Sequence, residues 1–162
     1  MANQTQSLYT PEERLRRDRS KWTLVQGILA PVQFIVFLIS LYLVIRFLNT
    51  GEGEFAANAS VVIKTVVLYT IMITGSIWEK EVFGRYLFAP AFYWEDVFSM
   101  LVLLLHTLYL FALGFGFLER RQLMMLALGA YLAYVINAAQ FLWKLRQARL
   151  QESRESSQGV MA

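Results

Sequence analysis

Four apolar runs, over 22–48, 57–78, 97–117 and 123–145, constrain this chain more than any other feature. Each is about 20 residues or longer, enough to cross a ~30 Å hydrocarbon layer as a helix. Within lipid, a helix is the one single-segment structure that satisfies all of its own backbone donors and acceptors. Burying four such runs in a soluble protein would need a polar shell that 162 residues, 57% hydrophobic and 17% charged, do not supply. An ordinary soluble domain is about a quarter charged. The expected fold is therefore all-α: a four-helix transmembrane bundle spanning 22–150, preceded by a basic segment over 1–21. The last residues, 151–162, are rich in Ser, Glu, Gln and Gly and read as a disordered cytoplasmic tail.

Charge sets the expected orientation. Eleven basic residues precede the first run, lie between the second and third, or follow the fourth, whereas Arg46, Arg120 and Arg121 lie on the other side. The positive-inside rule then places both termini and the 78–96 connection in the cytoplasm. Basic residues in that position suit anionic lipid, not nucleic acid. The first run is too long for a signal h-region, so no cleaved leader is expected. The sequence has no cysteine and one histidine, which excludes disulfides, thiolate nucleophiles, bis-His haem and multi-His metal sites. It also lacks a Gly-rich phosphate loop.

Local signals refine the outline. Thr10, Pro11 and Glu13 form a capping box with proline at N1, predicting a short amphipathic surface helix that leads into span one. Pro31 removes a backbone donor inside that span and is expected to bend it. Only 118–122 separate spans three and four, so these pack antiparallel. Polar side chains fall on one stripe of each span: Gln26, Gln33 and Ser40; Lys64, Gly75 and Glu79; Glu95, Ser99 and His106; Tyr134, Asn137, Gln140 and Lys144. Such residues are costly in a bilayer and face partners or cavities. Interhelical hydrogen bonding accounts for Gln26, Gln33, Asn137 and Gln140, snorkelling to headgroups for Lys64, and a satisfied core imidazole for His106.

The segment WEKEVFGRYLFAPAFYWED, residues 78–96, is richer than a simple loop. An interfacial belt explains Trp78 and Trp94, as it does Trp22 and Trp143, but leaves Phe83, Tyr86, Phe88, Phe92 and Tyr93 unexplained. An aromatic interfacial hairpin, broken at Gly84 and at Pro90, is expected. Its acids crowd at the mouths of spans two and three, an apolar, like-charged setting that favours a proton-holding carboxyl near neutral pH. Glu79 and Glu95 continue the inward stripes and are the candidate acid–base pair. Glu81 and Asp96 lie off those stripes and are expected to be solvated or paired with Lys80 and Arg85.

The stretches LYTPEERLRRDRSKWTLVQGILAPVQF, YTIMITGSIWEKEVFGRYLFAPAFYWEDVFSM and YVINAAQFLWKLRQARL closely resemble the bacteriochlorophyllide vinyl hydratases of phototrophic bacteria, over residues 8–150. The resemblance implies an enzyme of bacteriochlorophyll biosynthesis that adds water to the 3-vinyl group (2-vinyl in older nomenclature) of chlorophyllide a. The product would carry a 1-hydroxyethyl group. No cofactor is needed; membrane lipid and other pathway enzymes are the implied partners. On that reading His106 is a candidate ligand for the substrate's magnesium, with Lys64, Trp78, Tyr93, Trp94, Asn137 and Gln140 as further substrate contacts. The alternative is a non-catalytic carrier of bacteriochlorophyll precursors, which needs the same ring contacts but no acid–base pair.

Overall fold

A computed structural model describes residues 7–161, and among them every regular element is a helix: α1 (Pro11–Arg19), α2 (Lys21–Thr50), α3 (Glu54–Phe83), α4 (Tyr93–Phe115) and α5 (Arg120–Met161). The first six residues of the basic segment and the last residue of the tail lie outside the described residues. Helices α2 to α5 are each long and apolar enough to cross a membrane, making the chain a multi-pass helical membrane protein. They run up and down around one core. Helix α2 packs along α3 and α4 along α5, while α3 and α4 touch far less.

The helix boundaries follow from local chemistry. Thr10 caps α1: its Oγ1 accepts from the Glu13 amide at 3.2 Å, and Glu13 accepts in return from the Thr10 amide at 2.8 Å. Ser20 caps α2 by accepting from the Trp22 amide, and its own hydroxyl donates to Glu81 of α3 at 2.6 Å. Gly84 ends α3 at φ 82°, a left-handed conformation that a side chain would strain. Helix α2 continues through Pro31 as one element. Gly75 faces Gln26 of α2, where a Cβ would sit 3.4 Å from its Oε1, so the missing side chain lets the two helices close up. Gln26 then donates to Thr74 at 2.7 Å.

The core between the spans is apolar for much of its length, with Val44, Val61, Leu68, Val102 and Ala127 almost wholly buried. A second cluster closes the end of the bundle at the connection between α3 and α4. There Tyr9, Val82, Phe92 and Ala148 bury one another, with Trp78, Phe83 and Phe141 packed around them. One expectation is corrected here. The tail is helical, not disordered: α5 runs on to Met161 because Arg14 and Arg17 of α1 pair with Glu152 and Glu155 on it. For the same reason α1 is tied to protein on one side, with Tyr9 inserted beneath it into the aromatic cluster.

Candidate active site

The acids at the α3–α4 connection converge, in a pairing that differs from the one the helical stripes suggest. Glu79, in the last turns of α3, and Asp96, in the first turns of α4, are both buried, and their carboxyl groups are hydrogen-bond partners. Asp96 is thus neither solvated nor paired with Lys80 or Arg85. Lys80 donates to the Gly84 carbonyl instead, and Arg85 is exposed. Glu81 is exposed as expected, and it accepts from Ser20. The cause lies in the connection itself. Phe88 adopts φ 59°, uncommon for a bulky residue, and this turns two successive amides toward the acids. The Phe88 amide donates to Asp96 at 2.8 Å and the Ala89 amide to Glu79 at 3.3 Å. Backbone donors curled in this way form an anion-binding nest.

Glu95 sits beside this pair on the same helical turn. Its carboxylate accepts from Lys144 of α5 at 2.8 Å, and Lys144 also lies 5.5 Å over the Phe92 ring. Asn137 secures the turn by donating to the Glu95 carbonyl at 2.9 Å and accepting from Ser99 at 3.1 Å. Gln140 accepts in turn from Asn137 at 3.4 Å. The polar atoms of Asn137 are therefore engaged in holding the start of α4 against α5, with Gln140 bonded to Asn137 within α5. The arrangement provides two buried carboxyl groups side by side and, next to them, an ion-paired carboxylate.

The aromatic residues divide into two groups. Trp78, Phe83, Phe92, Tyr9 and Phe141 stack on one another with centroids 5.7–6.4 Å apart, and the Trp78 indole donates to Thr23 at 2.9 Å. That group is structural packing. Tyr86, Phe88, Tyr93 and Trp94 remain exposed and are the rings available to a flat ligand.

Lys64 and His106 lie elsewhere, in the closed interior of the bundle. Lys64 does not snorkel: it is fully buried, with Nζ 3.7 Å above the Tyr134 ring. The His106 Nδ1 bonds the Val102 carbonyl at 2.8 Å, which leaves Nε2 as the acceptor nitrogen. Neither Lys64 Nζ nor His106 Nε2 has a hydrogen-bond partner among the described residues. At 1.5 Å per residue, His106 is ~16 Å along α4 from Glu95 and Lys64 is ~22 Å along α3 from Glu79. The sequence candidates therefore form two groups, not one site. No three metal-ligating side chains converge among the described residues.

Comparison with known proteins gives one consistent result. The family described as 2-vinyl bacteriochlorophyllide hydratase matches residues 9–147. A relative of that name from Rhodobacter capsulatus is 65% identical over 151 residues, covering 93% of this chain and 88% of its own. Another of the same name, from Cereibacter sphaeroides, is 67% identical over 143 residues, covering 88% of this chain and 89% of its own. No solved structure matches.

Proposed function

The chain belongs to the 2-vinyl bacteriochlorophyllide hydratase family, and from that premise we propose that it is a membrane hydro-lyase acting on the vinyl group of a bacteriochlorophyllide. In its finer form the substrate is chlorophyllide a, and water adds to the 3-vinyl group to give the 3-(1-hydroxyethyl) derivative in bacteriochlorophyll synthesis. The observation that carries the mechanism is the Glu79–Asp96 carboxyl contact with the Glu95–Lys144 ion pair beside it.

Two touching carboxyl groups do not both ionise cheaply, so the pair retains one proton. The helix ends favour Glu79 as its holder. Glu79 lies near the negative C-terminal end of α3, whereas Asp96 lies near the positive N-terminal end of α4 and accepts an amide bond there. Glu79 transfers that proton to the terminal vinyl carbon, and the π electrons form the new C–H bond. The positive charge left on the inner carbon is delocalised into the macrocycle. A water oxygen adds to that carbon and gives its excess proton to Glu95, the carboxylate that Lys144 holds in place. Proton return to Glu79 closes the cycle, with one water consumed and no redox change. General acid–base steps of this kind contribute ~10²–10⁴-fold each.

The other candidates fit around this centre. Tyr93 and Trp94 contribute aromatic surface near the macrocycle's entry, Trp78 supports them from the packed cluster behind, and Asn137 holds the start of α4, with Glu95, in register. His106, in the closed interior ~16 Å along α4 from Glu95, is proposed to contact the substrate's magnesium, directly or through a water, with its unpartnered Nε2. Lys64 supports the same interior wall. The hairpin end faces the cytoplasm of the bacterial inner membrane, where lipid and other bacteriochlorophyll-pathway enzymes are its neighbours.

Purified protein incubated with chlorophyllide a in ¹⁸O-labelled water tests the reading. Label in a hydroxyethyl product supports it. An absorption shift with chemically unchanged pigment points instead to the carrier reading, for which the unpartnered His106 Nε2 is the favouring observation.

A further inference from the structure

Helices α3 and α4 are joined at their connection but part company above it, leaving an open groove of about 310 Å³ lined by Tyr69, Met72, Ile73, Leu103 and Thr107. Its neighbours Leu104 and Leu108 are exposed, so the groove opens sideways toward lipid. One polar contact crosses it: the Tyr69 and Thr107 hydroxyls lie 2.6 Å apart. This pair is unlike the other span hydroxyls near it. Thr65, Thr70, Thr74 and Ser99 each donate to a carbonyl one turn back in their own helix. Between Tyr69 and Thr107 there are two O–H protons and one hydrogen bond. The second proton has no acceptor among the described residues, in a setting where water is scarce and an unmet donor is costly.

The groove lies on the helix faces that end at the carboxyl pair. Leu103 and Thr107 lie seven and eleven residues after Asp96, one stripe of α4; Met72 lies seven residues before Glu79 on α3. From the hydroxyl pair to the carboxyl pair is ten residues on α3 and eleven on α4, or ~15–16 Å. A chlorophyllide carries a ring ketone on the pyrrole diagonally opposite the one bearing the vinyl group. From ordinary bond lengths the vinyl terminus and the ketone oxygen are ~14 Å apart. The two separations agree to within a side chain's reach.

We propose that this groove seats the substrate macrocycle edge-on from the membrane, with the Tyr69–Thr107 pair donating its free O–H to the ring ketone. The vinyl terminus is thereby held at Glu79. The assignment rests on the hydratase reading and adds the orientation of the substrate and the residues that fix it. It makes Tyr69 and Thr107 binding and positioning residues, separate from the proton-transfer groups.

The test is vibrational spectroscopy of chlorophyllide a bound to the full chain in detergent, reading the ketone stretch. Wild type is expected to show a ketone stretch lowered by hydrogen bonding. Tyr69→Phe with Thr107→Val is expected to restore the free frequency and to weaken binding about five- to tenfold, the scale of one hydrogen bond. Tyr69→Phe alone, which keeps the ring's packing, guards against a folding defect and should shift the stretch partway or fully. An unshifted ketone in wild type, or a lowered frequency that survives the double substitution, overturns the proposal. Glu79→Gln separates the two readings: its expected loss of hydration with the lowered stretch retained supports the seating. Wild-type hydration by Glu79→Gln would count against the acid alone, with the ketone stretch still deciding the groove.

Discussion

Asp96 is the residue on which the proposed chemistry turns, because it places a second buried carboxyl against Glu79 at the end of α3. Glu79→Gln and Asp96→Asn are each expected to slow hydration by ~10²–10⁴-fold while pigment binding, read by absorption, persists. Glu95→Gln should do the same if it takes the proton from water. In wild type the rate should fall as pH rises and the pair loses its shared proton, and Asp96→Asn should change the position of that limb. Phe88 supplies a stability check. Its φ of 59° costs a bulky L-residue of the order of 1–3 kcal/mol, so Phe88→Gly should fold normally in a thermal melt, whereas Phe88→Val should lower both Tm and rate. For His106, His106→Phe should weaken chlorophyllide binding or alter its spectrum; an unchanged spectrum removes it as a magnesium contact. Of these residues, helical spacing marked Glu79, Glu95 and His106 as inward-facing, and all three are buried, although Glu79 meets Asp96 and not Glu95. Asp96 was not so marked, since its stripe differs from that of Glu95 by one residue, and only the left-handed turn at Phe88 explains why an acid there is drawn inward.

Among the elements, the capping box of α1 could be read residue by residue, because Thr10, Pro11 and Glu13 act locally. The helical tail could not. Its composition is that of a disordered segment, and its order comes from ion pairs to residues more than 130 positions away in sequence: Arg14 with Glu152 and Glu155, and Arg17 with Glu152. Exposed pairs of this kind are worth ~0–1 kcal/mol each and weaken with salt. Glu152→Ala, which removes two of these contacts at once, is therefore expected to expose Arg16 and Arg19 to trypsin at moderate salt. The core of the bundle and the melting temperature should change little. Equal protease resistance in the variant and in wild type would mean that Tyr9 and its aromatic neighbours alone hold α1 down.

For the molecule as a whole, four spans followed from apolar length, which no tertiary contact overrides in a bilayer. What length and periodicity did not give was how unequally the spans pack. A Cys placed at Arg85 is expected to react with a membrane-impermeant maleimide from the cytoplasmic side and one at Glu52 from the opposite side; the reverse pattern would invert the topology. The uneven packing, tight within α2–α3 and within α4–α5 but slack between α3 and α4, also bears on how the protein is made. Each antiparallel pair is a self-sufficient unit for insertion, and the first is complete before the second leaves the ribosome. The α3–α4 seam, where the chemistry is proposed, is then expected to close last, by docking of two finished helix pairs. Chains severed between Arg85 and Phe88 and synthesised as two pieces should therefore both reach the membrane, and defects confined to the seam should escape quality control while abolishing turnover.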